Sequence, residues 1–238
     1  MKFTILYDNT SYKPGWEKGW GFSCLIQSKG ASILFDTGEN GEKLLKNFEL
    51  SASDPAKIDY MTFSHSDWDH IDGTRDFLSA NKHAHVFIPY CFSDTFRNLV
   101  EEYGHEYTIT GYEMTQLIPD VFSTPLYIND TGPHEAGIMI RAAEYDILLT
   151  GCAHPGILQM TRDIRKLDGQ KPIAVIGGFH LKSRSVEYIE TLIDDLIKEG
   201  VELFAPAHCT GEEQIEVFSR KCCEQFIRLG SGRSIEFK

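Results

Sequence analysis

Tyr60-Met61-Thr62-Phe63-Ser64-His65-Ser66-Asp67-Trp68-Asp69-His70 is the stretch that decides the fold. Its first four residues form an apolar run suited to a buried strand, and four potential metal ligands follow between positions 65 and 70. Strand side chains alternate with period 2, so His65 and Asp67 project from the same side of the strand's C-terminal end. Asp69 and His70 fall in the turn beyond it. Imidazoles and carboxylates converging in this way can hold one or two divalent ions. A solvated polar loop would explain the cluster if it stood alone, but three further apolar runs also end in histidine-bearing loops. Asp146–Thr150 runs into Gly151-Cys152-Ala153-His154-Pro155-Gly156, Pro172–Ile176 into Gly177-Gly178-Phe179-His180-Leu181, and Glu202–Ala205 into Pro206-Ala207-His208-Cys209-Thr210-Gly211. One strand-end histidine is usually an N-cap or a packed core residue. Several converging from the same end of a sheet sandwich are what a metal site requires, and the glycines beside them allow the tight turns.

Composition sets the frame. At 238 residues, with 42% hydrophobic and 12% aromatic content, the chain can bury a large core as one compact domain over residues 1–238, and no Pro/Ser-rich linker or repeat divides it. Met1–Tyr7 reads as a short strand ending at Asp8-Asn9 rather than as a secretory signal, so the expected location is cytoplasmic. No apolar run approaches the roughly 20 residues of a membrane span. Cys24, Cys91, Cys152, Cys209, Cys222 and Cys223 show no C-x-x-C spacing, which predicts free thiols. A net charge of −12 argues against a broad basic surface for nucleic acid. It leaves room for a small anionic substrate, because bound divalent ions reverse the local sign of the field. It also leaves a homo-oligomer open.

Along the chain, Phe22–Gln27 and Ser32–Asp36 read as paired strands across the turn at Ser28-Lys29-Gly30. Helical spacing covers Asn40–Phe48, Gly73–Ala80 and Ser93–Tyr103, with His85–Pro89 a strand between the last two. Leu117–Leu149 is strand-rich and includes Ile138–Arg141 and Asp146–Leu149. Helices and strands then alternate: Gly156–Leu167 helix, Pro172–Gly177 strand, Val186–Glu199 helix, Glu202–Ala205 strand, Gly211–Ile227 helix. Two such halves predict an α/β fold, a four-layer αβ/βα sandwich with ligands at the strand ends between the sheets.

These motifs resemble the metallo-β-lactamase superfamily, whose H-x-H-x-D-H signature appears here as His65-Ser66-Asp67-Trp68-Asp69-His70. The chain is more closely similar to the branch of dihydropterin aminobenzene-phosphate synthase-like proteins and metal-dependent hydrolases. That likeness runs through Asp8-Asn9-Thr10, Leu34-Phe35-Asp36-Thr37-Gly38, the cluster with Gly73, and the loops carrying Cys152 and His154, Gly177-Gly178-Phe179-His180-Leu181, and His208-Cys209. It implies two adjacent positions for divalent transition metal ions: zinc, manganese or iron. Carried over, His65 and Asp67 serve the first position, and Asp69, His70 and His208 the second. Either His134 or His154 completes the first, with His154 preferred because Glu135 matches the branch's recurrent glutamate. Cys152 stands where a bridging aspartate or a zinc-binding cysteine is usual; a buried inert thiol is the equal alternative. Two positions depart from the pattern. Asp67 replaces the usual second histidine and hardens the first position toward manganese or iron; Asp72 stands where glycine is common.

The chemistry implied is metal-assisted hydrolysis, in which a water with lowered pKa attacks a phosphoryl or acyl centre of a small anionic substrate. Asp69 would orient the nucleophile. His180 would protonate the leaving group or bind a substrate oxyanion, with a hydrogen-bonded supporting role as its alternative, and Glu135 would contact substrate. The competing readings are a pterin-related transferase or synthase, a di-iron oxygen-binding or redox module, and a metal-bearing binding domain without catalysis.

Overall fold

The computed structural model describes residues 1–130, 132–168 and 171–238. Strands β1 (Lys2–Tyr7), β2 (Ser23–Ser28), β3 (Ala31–Phe35), β4 (Tyr60–Thr62), β5 (His85–Pro89) and β6 (Tyr107–Thr110) belong to the first sheet, with helices α1 (Gly41–Leu50), α2 (Trp68–Ile71), α3 (Thr74–Ala80) and α4 (Asp94–Glu102) interleaved. Strands β7 (Thr115–Ile118), β8 (Val121–Ser123), β9 (Ile138–Arg141), β10 (Asp146–Thr150), β11 (Ile173–Gly178) and β12 (Val201–Ala207) form the second, with α5 (Ile157–Asp168), α6 (Val186–Lys198) and α7 (Glu212–Cys222). A last strand, β13 (Ser234–Glu236), returns to the first sheet, giving the orders β13-β1-β2-β3-β4-β5-β6 and β12-β11-β10-β9-β8-β7.

Alternation along the strands builds the four layers. In β10, Ile147 and Leu149 face the core between the sheets, where they join Phe3, Ile5, Phe35, Ile138 and Ile176, while Leu148 faces Met160, Ile193 and Phe218 of the covering helices. In β3, Ile33 and Phe35 point inward, and Leu34 packs outward with Leu44, Phe48 and Phe77 under α1 and α3. Strands buried on both faces read as continuous apolar runs, so Asp146–Thr150 and Ile173–Gly178 are buried along their whole lengths. Side-chain caps fix the helix starts: Asn40, Ser93 and Ser185 accept from the backbone N–H of Lys43, Phe96 and Tyr188.

The register directs the site. β3 to β6 are mutually parallel, β10 to β12 likewise, and β1 runs with β3 because both are antiparallel to β2. The C-terminal ends of β1, β3, β4, β10, β11 and β12 each open into one of the loops that carry chemistry.

The expected sandwich is the observed one, with local differences. The final helix stops at Cys222 rather than Ile227, because Cys223 takes a left-handed φ of 49° and the chain turns to bridge Phe226 to Phe204 beside β12. Asp69 and His70 lie on the single helical turn α2, not in an open turn. β6 and β13 are additional edge strands. Within the strand-rich segment Leu117–Leu149, residue 131 lies outside the described residues. Among the described residues no helix is long and apolar enough to cross a membrane.

Candidate metal centre

Four histidines meet where these loops converge. His65 and His70 follow β4, His154 follows β10 and His208 follows β12. Each commits its Nδ1 to an acceptor behind it: His70 to Asp36 Oδ2 at 2.7 Å, His154 to Glu135 Oε2 at 2.8 Å, His208 to Asn9 Oδ1 at 2.9 Å, and His65 to Ser64 Oγ at 2.8 Å. The Ser64 hydroxyl in turn donates to Asp36 Oδ2 at 2.6 Å, and Asn9 Oδ1 also accepts from Gly21 N, so both face their histidine as acceptors. The hydrogen-bond network therefore assigns Nδ1–H to all four rings and leaves each Nε2 as the ligand atom, the orientation that backing acceptors impose on metal-binding imidazoles.

Those Nε2 atoms converge. His70 Nε2 and His208 Nε2 lie 3.3 Å apart, and His65 Nε2 is buried with no hydrogen-bond partner among the described residues, 3.5 Å from Asp67 Oδ2. Buried polar atoms without partners, and lone pairs facing one another, are costly unless a cation lies among them. The donor atoms of His65, Cys152 and His154 all lie within 4.8 Å of one another, as do those of His70, Cys152 and His208. Asp69 Oδ2 stands 3.3 Å from His208 Nε2 and 3.8 Å from His70 Nε2. Cys152 Sγ is 3.4 Å from His70 Nε2 and belongs to both groups. This donor set of imidazoles, carboxylates and one shared thiol fits two adjoining divalent ions.

The remaining predicted residues sort by position. Of the two histidines weighed for the first group, His154 stands with His65, their ring centroids 4.8 Å apart, whereas His134 accepts from Asn129 N through Nδ1 and lies outside the donor groups formed by the described residues. Glu135, expected against substrate, is fully buried. Its two oxygens accept from the backbone N–H of Cys152, Ala153 and His154 and from the His154 ring, so it clamps the loop that presents Cys152 and His154. His180 is exposed, with its ring 4.6 Å from that of His154 and its donor atom grouped with Cys152 and Cys209.

Burial and charge set the protonation states. Burial works against a charge on His65, yet Asp67, Glu135 and Asp36 together hold its pKa up at about 9. His70 is pushed far down by burial and by the neighbouring His65 and His208. Burial pushes Asp36 up to about 7. Burial would also raise Glu135, but His154, His65 and the loop amides hold it well below the usual carboxylate range. Cys209, which no motif argument assigned, lies under this loop: the His180 backbone N–H donates to its Sγ at 3.3 Å, and its hydrogen bond with the His180 side chain raises the His180 pKa.

The loops close tightly. Ala153, His180 and His208 take left-handed φ values of 56°, 51° and 48°, each costing about 1–3 kcal/mol for a non-glycine residue. Gly178 is required between them, because a Cβ there would lie 2.2 Å from Gly151 O and 2.7 Å from Cys209 Sγ. Motif reasoning left Asp36, Asp8 and Asn9 without roles. Asp8 Oδ1 accepts from His208 N at 2.9 Å, so β1 and β3 supply the second tier of the site. The available signal was a polar residue placed directly after an apolar strand.

Comparison with known proteins identifies the family and the fold. The profile of the metallo-beta-lactamase superfamily matches residues 21–208. A 7,8-dihydropterin-6-methyl-4-(β-D-ribofuranosyl)-aminobenzene-5'-phosphate synthase of Methanocaldococcus jannaschii is 29% identical over 99% of this chain and 96% of its own. An uncharacterised protein of the same organism is 28% identical over 91% of this chain and 93% of its own. Among solved structures, Tm1679, described as a metal-dependent hydrolase of the beta-lactamase superfamily, superposes with a TM-score of 0.82 at 24% identity, covering 99% of this chain and 98% of that one.

Proposed function

The chain belongs to the metallo-beta-lactamase superfamily, and from that premise we propose that it is a metal-dependent hydrolase acting on a small anionic substrate with a phosphoester or acyl centre. The observation that carries this reading is the common orientation of His65, His70, His154 and His208, each backed at Nδ1 and open at Nε2 around Cys152. His65, His154, Asp67 and Cys152 would hold one divalent ion, and His70, His208, Asp69 and the same Cys152 the other. When bound, the ions would polarise a substrate oxygen and lower the pKa of the attacking water. Asp69, buried beside His70 and His208, would accept a hydrogen bond from that water and aim it. His180 is exposed at the mouth and its pKa is raised chiefly through Cys209, so it can carry the proton that a leaving group takes up. Glu135 holds the loop on which two ligands ride. Asp67 supplies a hard oxygen where an imidazole would favour zinc, which moves the first position toward manganese or iron, against the softer pull of the shared Cys152 thiolate toward iron or zinc.

The test combines metal analysis of protein isolated without added metal with a turnover screen over phosphodiesters, phosphomonoesters, lactones and thioesters. Metal-dependent hydrolysis of one class is the expected result. Absence of turnover on every class by metal-replete protein would overturn the reading.

A second reading is favoured by one specific finding, the synthase that aligns along both full lengths. In that case the same groups would activate a pterin-bearing electrophile toward a nucleophile other than water. Product analysis in 18O-labelled water separates the two: hydrolysis places a solvent oxygen in the product, and condensation does not.

A further inference from the structure

Beside the outer face of His208 lies a cavity of about 260 Å³, lined by Asp8, Trp20, Lys182, His208 and Glu212 among others. Its volume suits a fragment of a metabolite rather than a whole one. It shares His208 with the metal centre, and Trp20 stands edge-on to that ring at a centroid separation of 5.4 Å. The cavity thus stands one residue, His208, away from the histidine cluster.

The charges lining it are already committed, with one exception. Asp8 is buried, with Oδ1 accepting from His208 N and Oδ2 from the Thr10 hydroxyl. Glu212 accepts from Arg228 at 2.7 Å. Lys182 has no carboxylate partner among the described residues; its ammonium sits 4.9 Å from the centroid of the Trp20 ring. An aromatic face holds a cation in place without neutralising it. In a chain of net charge −12, an unneutralised ammonium fixed beside the metal ligands is an anion anchor in search of its anion.

We propose that this cavity binds the phosphate arm of the substrate, with Lys182 contacting the phosphate oxygens and Trp20 positioning Lys182. The inference rests on the anionic-substrate reading above and adds where the anion sits and which residue selects it. Reaction at the metals and recognition of the phosphate would thus be separate events on one molecule, with the phosphate retained in the product.

The test measures binding of phenyl phosphate and of phenol to metal-loaded protein by calorimetry, in wild type, Lys182→Ala, Lys182→Arg and Trp20→Leu, with metal content determined for each. Lys182 is exposed, so its replacement leaves the core untouched. The expected result is binding of phenyl phosphate weakened about tenfold or more in Lys182→Ala, retained in Lys182→Arg and partly lost in Trp20→Leu, with metal content unchanged throughout and no response of phenol to any substitution. Equal binding of phenyl phosphate by wild type and Lys182→Ala would overturn the subsite and leave the anionic-substrate reading standing. If metal-loaded wild type binds no phenyl phosphate at all, the subsite fails, and the anionic-substrate reading is decided by the turnover screen alone.

Discussion

At one end of the sandwich, where β3, β4 and β10 to β12 finish, the chain buries histidines and carboxylates around the Cys152 thiol. At the other end, around the β2–β3 turn and β13, lies a larger cavity of about 750 Å³, whose lining contains lysines, Asp59 and Glu236 but neither histidine nor cysteine. The larger opening is the chemically poorer one. Its charged groups are largely solvated and cost little, whereas at the histidine end His65, His70, His208, Asp36 and Glu135 are buried. Burying such groups costs about 1–3 kcal/mol apiece when their hydrogen bonds are incomplete. The unpartnered Nε2 of His65 therefore marks function more reliably than volume does.

The contrast breaks most visibly through the ligands. His70→Ala or Asp69→Asn should lower bound transition metal measured by elemental analysis and abolish metal-dependent turnover, and full occupancy in both variants would remove the α2 segment from the centre. His180→Ala should cut turnover by about 100-fold or more, the scale of one general acid, with metal content near that of wild type; loss of metal would make His180 a ligand instead. Glu135→Gln keeps the shape of the clamp but removes its charge, and it should weaken metal affinity by about 10–100-fold, as expected for a partner behind a ligand. Unaltered affinity would show that the Cys152–His154 loop holds itself. At the far end, Lys29→Ala removes an exposed ion pair with Asp120 and should change stability by less than about 1 kcal/mol and metal content not at all. A measurable loss of metal there would mean that the two ends are coupled.

Sequence reading went further with the strands than with what lies behind the ligands. The ends of β4, β10, β11 and β12 were legible because each is a continuous apolar run that ends in a histidine-bearing loop, glycine-rich after β10 to β12, a local signal. The partners that orient the rings were not. Asp36 is 34 positions from His70, and Asn9 is 199 from His208, so nothing in the spacing links them before the sheets are assembled. Glu135 was visible as a residue of interest, but the substrate contact first expected of it gave way to a clamp once the loop amides closed on its two oxygens. β13 was missed although Ile235 and Phe237 alternate correctly, because three residues are too few for periodicity to stand out. The overrun of α7 has a different origin: only contact with β12 requires the left-handed turn at Cys223.

The central claim is that the backed histidines around Cys152 form a two-ion centre, and calorimetric titration of metal-stripped protein with manganese, run near pH 7.5 in buffers of different ionisation enthalpy, tests it most directly. His65 has its folded pKa raised to about 9, so below that pH the metal-free protein holds a proton that a ligand nitrogen must surrender. The account predicts two equivalents bound near pH 7.5 with proton release, to which His65 and the Cys152 thiol, its pKa raised by burial, both contribute, and fewer than two equivalents in His65→Ala. Saturation without proton release, or fewer than two equivalents in wild type, would contradict it.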